Sequence, residues 1–520
     1  MLRPKRPFRS LLIGAIVSSF LPASLASAYV PIATANLVTN TKGGRNEMPS
    51  VDKKGGVVVF VSHSDHVNGV STPATGTFDF DNTGNDYATG AAPSPSCPNC
   101  TSVDNGDGNL YLWRLKKKGA APANSVTQLT FSNSGGFSAN EFPEIDQKAQ
   151  WVVWNSRADH TGGNADGNSE IFMVDLRTLA ITQITETTGD GSRANRTATI
   201  TDKGIVVFDS TRDFAAAGTC RRPDGVSACS NGDGNSEVMI YDSTTGDFTQ
   251  VTDTVGDGTD AQRYPRVSVD GNFIVFQSTR DFSGALTGGV SCIGLDGVTP
   301  CSNDTNGEIM MYDVELRQLT QVTNTIEQSG CNSKDSNRRP EVSKKGKYIV
   351  FQSECEDQLN PTGCGDCGGS ANNQEVFLVD KRKAQVSQVT ISHGGWNRSP
   401  RINATGKYIA FDTNRNYLGL NSTHSERLYI LKRSSTKQTT GLTARMQVEE
   451  DPVLQARGIQ QHPRVQATTI GFFGGFPGSE RIGMSGNGRI VAFESSKDVG
   501  NQEIWRVDRA RCTHGFPDCR

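Results

Sequence analysis

The feature that constrains this chain most is a sequence unit that recurs along it. A clear copy begins at Arg263 with Arg-Tyr-Pro-Arg-Val-Ser and continues through a Gly turn, an apolar strand, a loop and a second apolar strand. It ends at Thr320-Gln321-Val322-Thr323. Units of this size cannot bury their apolar faces alone, so neighbouring copies have to pack against one another. Short strands and many turns also suit a chain with 55 Gly and 35% hydrophobic residues.

The second strand of the unit is short, rich in β-branched or aromatic residues and bounded by Gly and Ser, as expected for a strand buried on both faces. Its copies are Val57–Phe60, Trp151–Trp154, Ile205–Phe208, Phe273–Phe276, Tyr348–Phe351, Tyr408–Phe411 and Ile490–Phe493. The third strand recurs equally often, at Leu110–Leu115, Ile171–Leu176, Val238–Asp242, Ile309–Val314, Val376–Asp380, Leu428–Lys432 and Ile504–Asp508. The pattern predicts an all-β fold, a seven-bladed β-propeller of four-stranded antiparallel blades.

The outer strand of the unit follows six of the blades, and the sixth copy is Gln438–Thr443. The N-terminal segment Leu37–Thr41 nearly repeats Gln321–Thr325, which predicts that it completes the last blade and closes the ring. Such closure removes the open edge of the last sheet. Residues 444–478 do not fit the repeat, and we expect an inserted loop region there, between blades 6 and 7.

These segments resemble the PD40 (WD40-like) repeat of TolB-type propellers, whose consensus runs Pro-x-x-Ser-Pro-Asp-Gly, Ile-Ala-Phe and Ile-Tyr-Val-x-Asp. The resemblance covers nearly the whole chain after its N-terminal segment. It implies a TolB-like propeller fold, while the same repeat serves proteins with many different functions.

The N-terminus has the pattern of a secretory signal peptide. A basic segment with Arg3, Lys5, Arg6 and Arg9 precedes the apolar stretch Leu11–Leu25 and the Ala26-Ser27-Ala28 cleavage signal. We therefore expect a signal peptide over 1–28, a mature propeller over 29–520 and a periplasmic or secreted location; an uncleaved anchor is the alternative. Cleavage leaves 48 basic residues against 55 acidic ones, and that acidic balance argues against nucleic-acid binding. No later stretch is apolar enough to span a membrane.

The chain has 12 Cys, an even number that predicts disulfides in an exported protein. Sequence-local pairs are Cys97/Cys100, Cys220/Cys229, Cys292/Cys301, Cys364/Cys367 and Cys512/Cys519, which leaves Cys331 to pair with Cys355. Two of the pairs are Cys-x-x-Cys, for which redox chemistry or zinc binding is the alternative.

Acidic, Gly-rich loops precede several third strands and contain Asp104, Asp107, Asp166, Asp233 and Asp304. Alternating Asp and Asn oxygens around Gly suit a calcium loop, although none of these loops carries the full EF-hand pattern. The alternative is that Asp-Gly and Asn-Gly simply form the turn into the strand. Calcium is the one cofactor that the sequence suggests.

Charged residues mark the start of each first strand, which lines the channel of a propeller. They are Glu47 and Glu141 in blades 1 and 2, and Arg196, Arg263, Arg338, Arg339, Arg398 and Arg481 in blades 3 to 7. Converging arginines can hold a carboxylate or a phosphate, which makes this set the candidate ligand site at the channel mouth. The alternative is that each Arg pairs with an Asp of a neighbouring blade, such as Asp213 or Asp281.

No motif for a catalytic Ser, a zinc protease or a nucleotide-binding loop is present. We therefore expect a non-enzymatic scaffold that binds a protein or peptide in the envelope or outside the cell. The alternative is a metal-dependent enzyme, either like a polysaccharide lyase or a hydrolase, acting at the channel mouth. For that alternative, His63, Asp65 and His66 are the first candidates.

Overall fold

The structure is a computed structural model of the chain. It describes residues 32–41, 45–63, 70–71, 78–80, 108–115, 124–132, 139–189, 191, 194–215, 218–256, 258, 261–283, 290–303, 306–325, 336–354, 374–391, 395–414, 426–433, 446–447, 465–472, 482–495 and 502–512. The predicted signal peptide, 1–28, lies outside these ranges. Within them, no helix is long and apolar enough to cross a membrane.

Seven blades follow one another along the chain, and each begins with three antiparallel strands that we name a, b and c. The a strands are Asn46–Val51, Asn140–Ile145, Asn195–Ile200, Gln262–Val267, Asn337–Val342, Asn397–Ile402 and Ile482–Met484. The b strands are Val57–Ser62, Trp151–Ser156, Ile205–Ser210, Phe273–Ser278, Tyr348–Ser353, Tyr408–Thr413 and Ile490–Ser495. The c strands are Asn109–Leu115, Glu170–Asp175, Glu237–Asp242, Glu308–Asp313, Glu375–Asp380, Glu426–Lys432 and Glu503–Cys512. The prediction of a seven-bladed propeller is thereby confirmed.

The outer strand d completes blades 1 to 5 as Asn124–Gln128, Ile181–Gln183, Phe248–Gln250, Gln318–Gln321 and Gln385–Gln388. In blade 6 the strand Val465–Phe472, which lies within the predicted insertion 444–478, pairs antiparallel with strand c. The outer strand predicted at Gln438–Thr443 lies outside the described residues. Blades 3 and 4 carry a fifth strand, Cys220–Arg221 and Ser291–Gly294, so they exceed the four strands predicted for each blade.

The N-terminal strand Ile32–Leu37 pairs antiparallel with strand c of blade 7, and Leu37 lies opposite Trp505. It also runs parallel to Val465–Phe472, so blades 6 and 7 share one eight-stranded sheet. The next segment, Thr39–Thr41, pairs with Phe78–Phe80, while the Thr39 hydroxyl still accepts a hydrogen bond from the N–H of Ile504 in blade 7 at 2.8 Å. That this strand closes the ring stays a prediction.

Apolar side chains fill the spaces between neighbouring blades. Strand b supplies large side chains to this packing, since Phe208, Phe276 and Phe351 are fully buried. Each such side chain contributes about 2–3 kcal/mol when it leaves water. At the junction of blades 7 and 1, Phe60 packs with Ile490 and other residues of blade 7. The seven a strands thus lie side by side around a central channel.

A buried carboxylate holds neighbouring blades together at the first residue of strand c. Glu308 accepts hydrogen bonds from the backbone N–H of Thr325 at 2.7 Å, the Thr325 hydroxyl at 2.6 Å and the Asn337 amide of blade 5 at 3.3 Å. The Thr323 hydroxyl, which ends the Thr-Gln-x-Thr motif, donates to the same carboxylate. Glu237 has the equivalent contacts with Thr254 and blade 4. The recurring Thr of the sequence unit is therefore an interblade contact.

Two of the predicted disulfides are confirmed. Cys220–Cys229 and Cys292–Cys301 each close a hairpin whose first strand lies beside strand d of its blade. The other predicted pairs involve Cys97, Cys100, Cys331, Cys355, Cys364, Cys367 and the Cys519 partner of Cys512, which lie outside the described residues.

Candidate functional site

Every a strand whose first residues are described has a β-bulge near its N-terminal end. The third residue of the strand has φ between 51° and 57° in the left-handed region, and the pairing register with strand b shifts there. These residues are Met48, Phe142, Thr197, Tyr264, Arg339 and Ser399. The Pro of the repeat mostly follows directly, since a bulge tolerates the missing N–H. We call these six residues the channel ring.

The second residue of each a strand lies just before this bulge. It lies opposite the end of strand b, where the b–c loops begin, and we call this end of the propeller the loop face. Glu47, Glu141, Arg196, Arg263, Arg338 and Arg398 occupy this position. The structure therefore brings six of the eight predicted residues to one level of the propeller. Arg339 instead belongs to the channel ring, and Arg481 lies outside the described residues.

Three of these arginines form ion pairs inside their own blade. Arg196 lies 2.6 Å from Asp209 and Arg398 lies 3.0 Å from Asp412, both on strand b, while Arg338 lies 3.1 Å from Glu354. These three carboxylate partners lie in the arginine's own blade, whereas the alternative named Asp residues of neighbouring blades. Asp213 and Asp281 accept hydrogen bonds from residues two positions later in their own loops. The pairs hold the guanidinium groups in fixed orientations, because both partners lie on paired strands.

The acidic side of the mouth is formed by blades 1 and 2. Glu47 lies 3.0 Å from the Nε2 atom of His63 and 3.5 Å from Arg45, and Glu141 accepts a hydrogen bond from Asn155 at 3.3 Å. His63 is buried, and Asp65 and His66 lie outside the described residues. No group of three His, Cys, Asp or Glu able to hold a metal occurs within the described ranges. The metal-dependent alternative stays a prediction.

Arg339 differs from the other predicted arginines. Its guanidinium donates to the Ser399 hydroxyl at 2.9 Å and lies 5.9 Å from the centre of the Tyr264 ring. Burial lowers the pKa of Arg339 and nearby Arg338 and Arg398 lower it further, while Tyr264 and the Asp412 carboxylate raise it. A cavity of about 20 Å³ adjoins it, lined by Tyr264, Arg266, Arg339, Pro340, Ser399, Pro400 and Arg401.

Two arginines and two glutamates meet deeper in the channel, and sequence analysis missed them. They are the fifth residues of their a strands. Arg401 lies 2.6 Å from Glu341 and 3.7 Å from Glu144, while Arg266 lies 3.6 Å from Glu144 and 3.7 Å from Glu341. We call these four residues the channel quartet. It links blades 2, 4, 5 and 6 and borders a cavity of about 100 Å³ at the end of the channel away from the loop face.

The acidic loops of blades 2 and 3 connect neighbouring blades. The Asp166 carboxylate accepts a hydrogen bond from the N–H of Gly189 at 2.9 Å, and Asp233 accepts one from Gly256 at 2.9 Å. Both are interactions between the c-strand loop and the segment that enters the next blade. Asp104, Asp107 and Asp304 lie outside the described residues. Calcium binding at these loops stays a prediction.

The chain matches no protein-family model, and no curated protein matches it by sequence. Among solved structures, TolB from Acinetobacter baumannii is 15% identical, with a TM-score of 0.34 over 66% of this chain and 60% of that one. An oligogalacturonate lyase in complex with manganese is 12% identical, with a TM-score of 0.45 over 89% of both chains. Kuenenia stuttgartiensis hydrazine synthase is 11% identical, with a TM-score of 0.42 over 94% of this chain and 98% of that one. At these identities and TM-scores the similarities carry no argument about activity or partner.

Proposed function

We propose that this protein is a non-enzymatic, TolB-like propeller scaffold that binds a protein or peptide partner at the channel mouth on its loop face. The observation that supports this most is the division of charge around the mouth. Blades 3 to 6 each place an arginine at the second position of strand a, whereas blades 1 and 2 place Glu47 and Glu141 there. Three of these arginines are paired with a carboxylate, so the mouth selects a partner through fixed charged groups that form directional, charge-assisted hydrogen bonds.

The arginines suit recognition because they are held before a partner arrives. The pairs of Arg196 with Asp209 and Arg398 with Asp412 fix side chains that would otherwise lose rotational freedom on binding. Arg263 lies 5.1 Å from the centre of the Tyr264 ring, which orients it in the same way. A prearranged charged rim on a rigid ring is what a binding scaffold requires.

We further propose that the partner lies in the periplasm or outside the cell. The disulfides Cys220–Cys229 and Cys292–Cys301 support this location, because such bonds persist in oxidising compartments.

Affinity capture with the mouth variants Arg263→Gln and Glu141→Gln tests the proposal. Exported, oxidised protein is immobilised and exposed to envelope and culture fractions. We expect the wild type to retain a partner in stoichiometric amount and each variant to retain about tenfold less, which corresponds to about 1.4 kcal/mol. The control is Arg177→Gln, which removes an arginine that is 71% exposed on a c–d turn and pairs with Asp175. Equal capture by the wild type and both mouth variants would contradict the proposal.

A further inference from the structure

The channel ring contains one charged residue among its six described members. Met48, Phe142, Thr197, Tyr264 and Ser399 are neutral, and Arg339 is the exception. In blades 4 to 6 the left-handed bulge places this residue at the channel wall, where Tyr264, Arg339 and Ser399 line a cavity. Among the six described ring members, Arg339 is therefore the charged group at this level, below the paired arginines of the mouth.

No carboxylate pairs directly with Arg339: Asp412, which raises its pKa, lies beyond ion-pair distance and pairs with Arg398. Within the described residues no acidic side chain lies within ion-pair distance of it, whereas Arg196, Arg338 and Arg398 at the mouth and Arg266 and Arg401 below each have a carboxylate partner. The Ser399 hydroxyl that accepts its hydrogen bond carries no charge. Partly burying a cation without a directly paired carboxylate costs free energy, and a bound anion would recover it.

The space beside Arg339 favours a small planar anion. The adjoining cavity of about 20 Å³ holds one or two water-sized groups, since one water needs about 10–15 Å³. A carboxylate can present two oxygens to a guanidinium in one plane, whereas a phosphate adds oxygens outside that plane. Pro340 and Pro400 form rigid walls of this cavity. Glu47 and Glu141, on the opposite side of the mouth, would repel an anion that bound close to them.

We propose that Arg339, together with the Ser399 hydroxyl and the Tyr264 ring, forms a carboxylate-binding subsite in the channel that receives an acidic peptide segment of the partner. This inference rests on the proposed function, since it identifies the chemistry that the mouth admits. The carboxylate comes from an Asp or Glu side chain or from the C-terminus of a peptide, and the probes below distinguish the two sources.

Four blocked tripeptides test the subsite directly. Acetyl-Gly-Glu-Gly-amide carries only the side-chain carboxylate, and acetyl-Gly-Gly-Gly with a free C-terminus carries only the terminal one. Acetyl-Gly-Gln-Gly-amide is the neutral control, and acetyl-Gly-phosphoserine-Gly-amide presents the phosphate. Binding is measured by saturation-transfer NMR on the full protein. We expect saturable binding of at least one carboxylate peptide, with a Kd on the order of 1 mM, and at least about tenfold weaker binding of the other two probes.

The variants Arg339→Met and Ser399→Ala locate the binding. Arg339→Met keeps an unbranched stem and removes the charge, so we expect at least about tenfold weaker binding of the carboxylate peptide. Ser399→Ala keeps the charge and removes the hydrogen bond, so a smaller loss is expected. The control Arg177→Met removes an exposed arginine on a c–d turn and leaves binding unchanged.

A stability measurement provides a second readout that a structural role for Arg339 would not produce. Because no carboxylate pairs with it directly, we expect Arg339→Met to have an equal or higher thermal midpoint than the wild type without ligand, and the carboxylate peptide to raise only the wild-type midpoint. A lower midpoint for Arg339→Met together with unchanged peptide binding would overturn the proposal. Absence of saturable binding of both carboxylate peptides to the wild type at about ten times the expected Kd would also overturn it.

The two proposals fail separately. If Arg263→Gln loses the captured partner while the carboxylate peptides bind the wild type and Arg339→Met equally, the mouth proposal stands and the subsite is refuted. If the peptides bind through Arg339 while the mouth variants capture as the wild type does, the subsite stands and the proposed function is refuted.

Discussion

Replacing Glu308 with Gln should remove part of the dependence of stability on pH. Burial between blades 4 and 5 raises the pKa of Glu308 from 4.5 to about 7, and its hydrogen bonds from Thr323 and Thr325 offset only part of that effect. The folded protein therefore holds a proton that the unfolded chain releases near pH 4.5. Its contribution to stability is fully present below pH 4.5 and is lost as the pH rises through about 7.

The magnitude follows from the difference between the folded and unfolded pKa values. Each pKa unit corresponds to about 1.4 kcal/mol, so the contribution of Glu308 is worth about 3 kcal/mol across this range. The variant side chain is neutral at every pH and lacks this contribution. The free energy of unfolding of the wild type should thus fall by about 3 kcal/mol relative to the variant between about pH 4.5 and about pH 8.5.

Urea unfolding followed by tryptophan fluorescence measures this difference on the oxidised proteins. His160 titrates in the opposite sense, because burial lowers its pKa to about 4 and folding then weakens as the pH falls from about 6.5. Its effect is common to both proteins and cancels in the comparison. The exposed Glu315→Gln serves as the matched control on the same blade. Wild-type and Glu308→Gln curves that stay parallel across the pH range would refute the reasoning.

Three further changes test contacts within and between the blades. Glu341→Ala leaves Arg401 without its 2.6 Å partner in the channel quartet, and we expect a loss of about 3 kcal/mol in urea unfolding; no loss would contradict the structural role of the quartet. Replacing Cys292 and Cys301 by Ala opens a loop with a sequence separation of 9, and loop entropy predicts a loss of about 2–3 kcal/mol, measured in the same assay. A chelator should leave the thermal midpoint unchanged, because the Asp-Gly-Asn loops of blades 2 and 3 already bond to backbone N–H groups. A fall in the midpoint would assign calcium there, with the buried Asn235 Oδ1, which accepts no hydrogen bond within the described residues, as a candidate ligand.

The blades could be predicted from sequence because strand b is buried on both faces in every copy. The buried central part of the strand has to be apolar, so Phe273–Phe276 and its equivalents can be found from the sequence alone. The outer strand of blade 6 could not be found in this way. Val465–Phe472 is distant in sequence from its partner Glu426–Lys432, and the repeat spacing is lost over the intervening residues.

The level of the charged residues could be predicted, but their partners could not. The Arg-x-Pro pattern places Arg263 and Arg398 at the channel mouth, as the structure does. The bulge that separates Arg338 from Arg339 is a backbone feature, and it sends two adjacent arginines to different environments. The channel quartet brings together residues such as Glu144 and Arg401, which are far apart in sequence. Only the ring geometry shows that their charges cancel.

Site-specific photo-crosslinking tests the central claim, that the partner binds at the channel mouth, most directly. A photoreactive phenylalanine replaces Tyr264, a partly exposed residue of the channel ring, in the exported protein, and a second variant carries it at Lys345 on an a–b turn at the opposite end of the channel. We expect a covalent adduct with one partner from position 264 and none from position 345. Adducts with that partner from position 345 alone would contradict it.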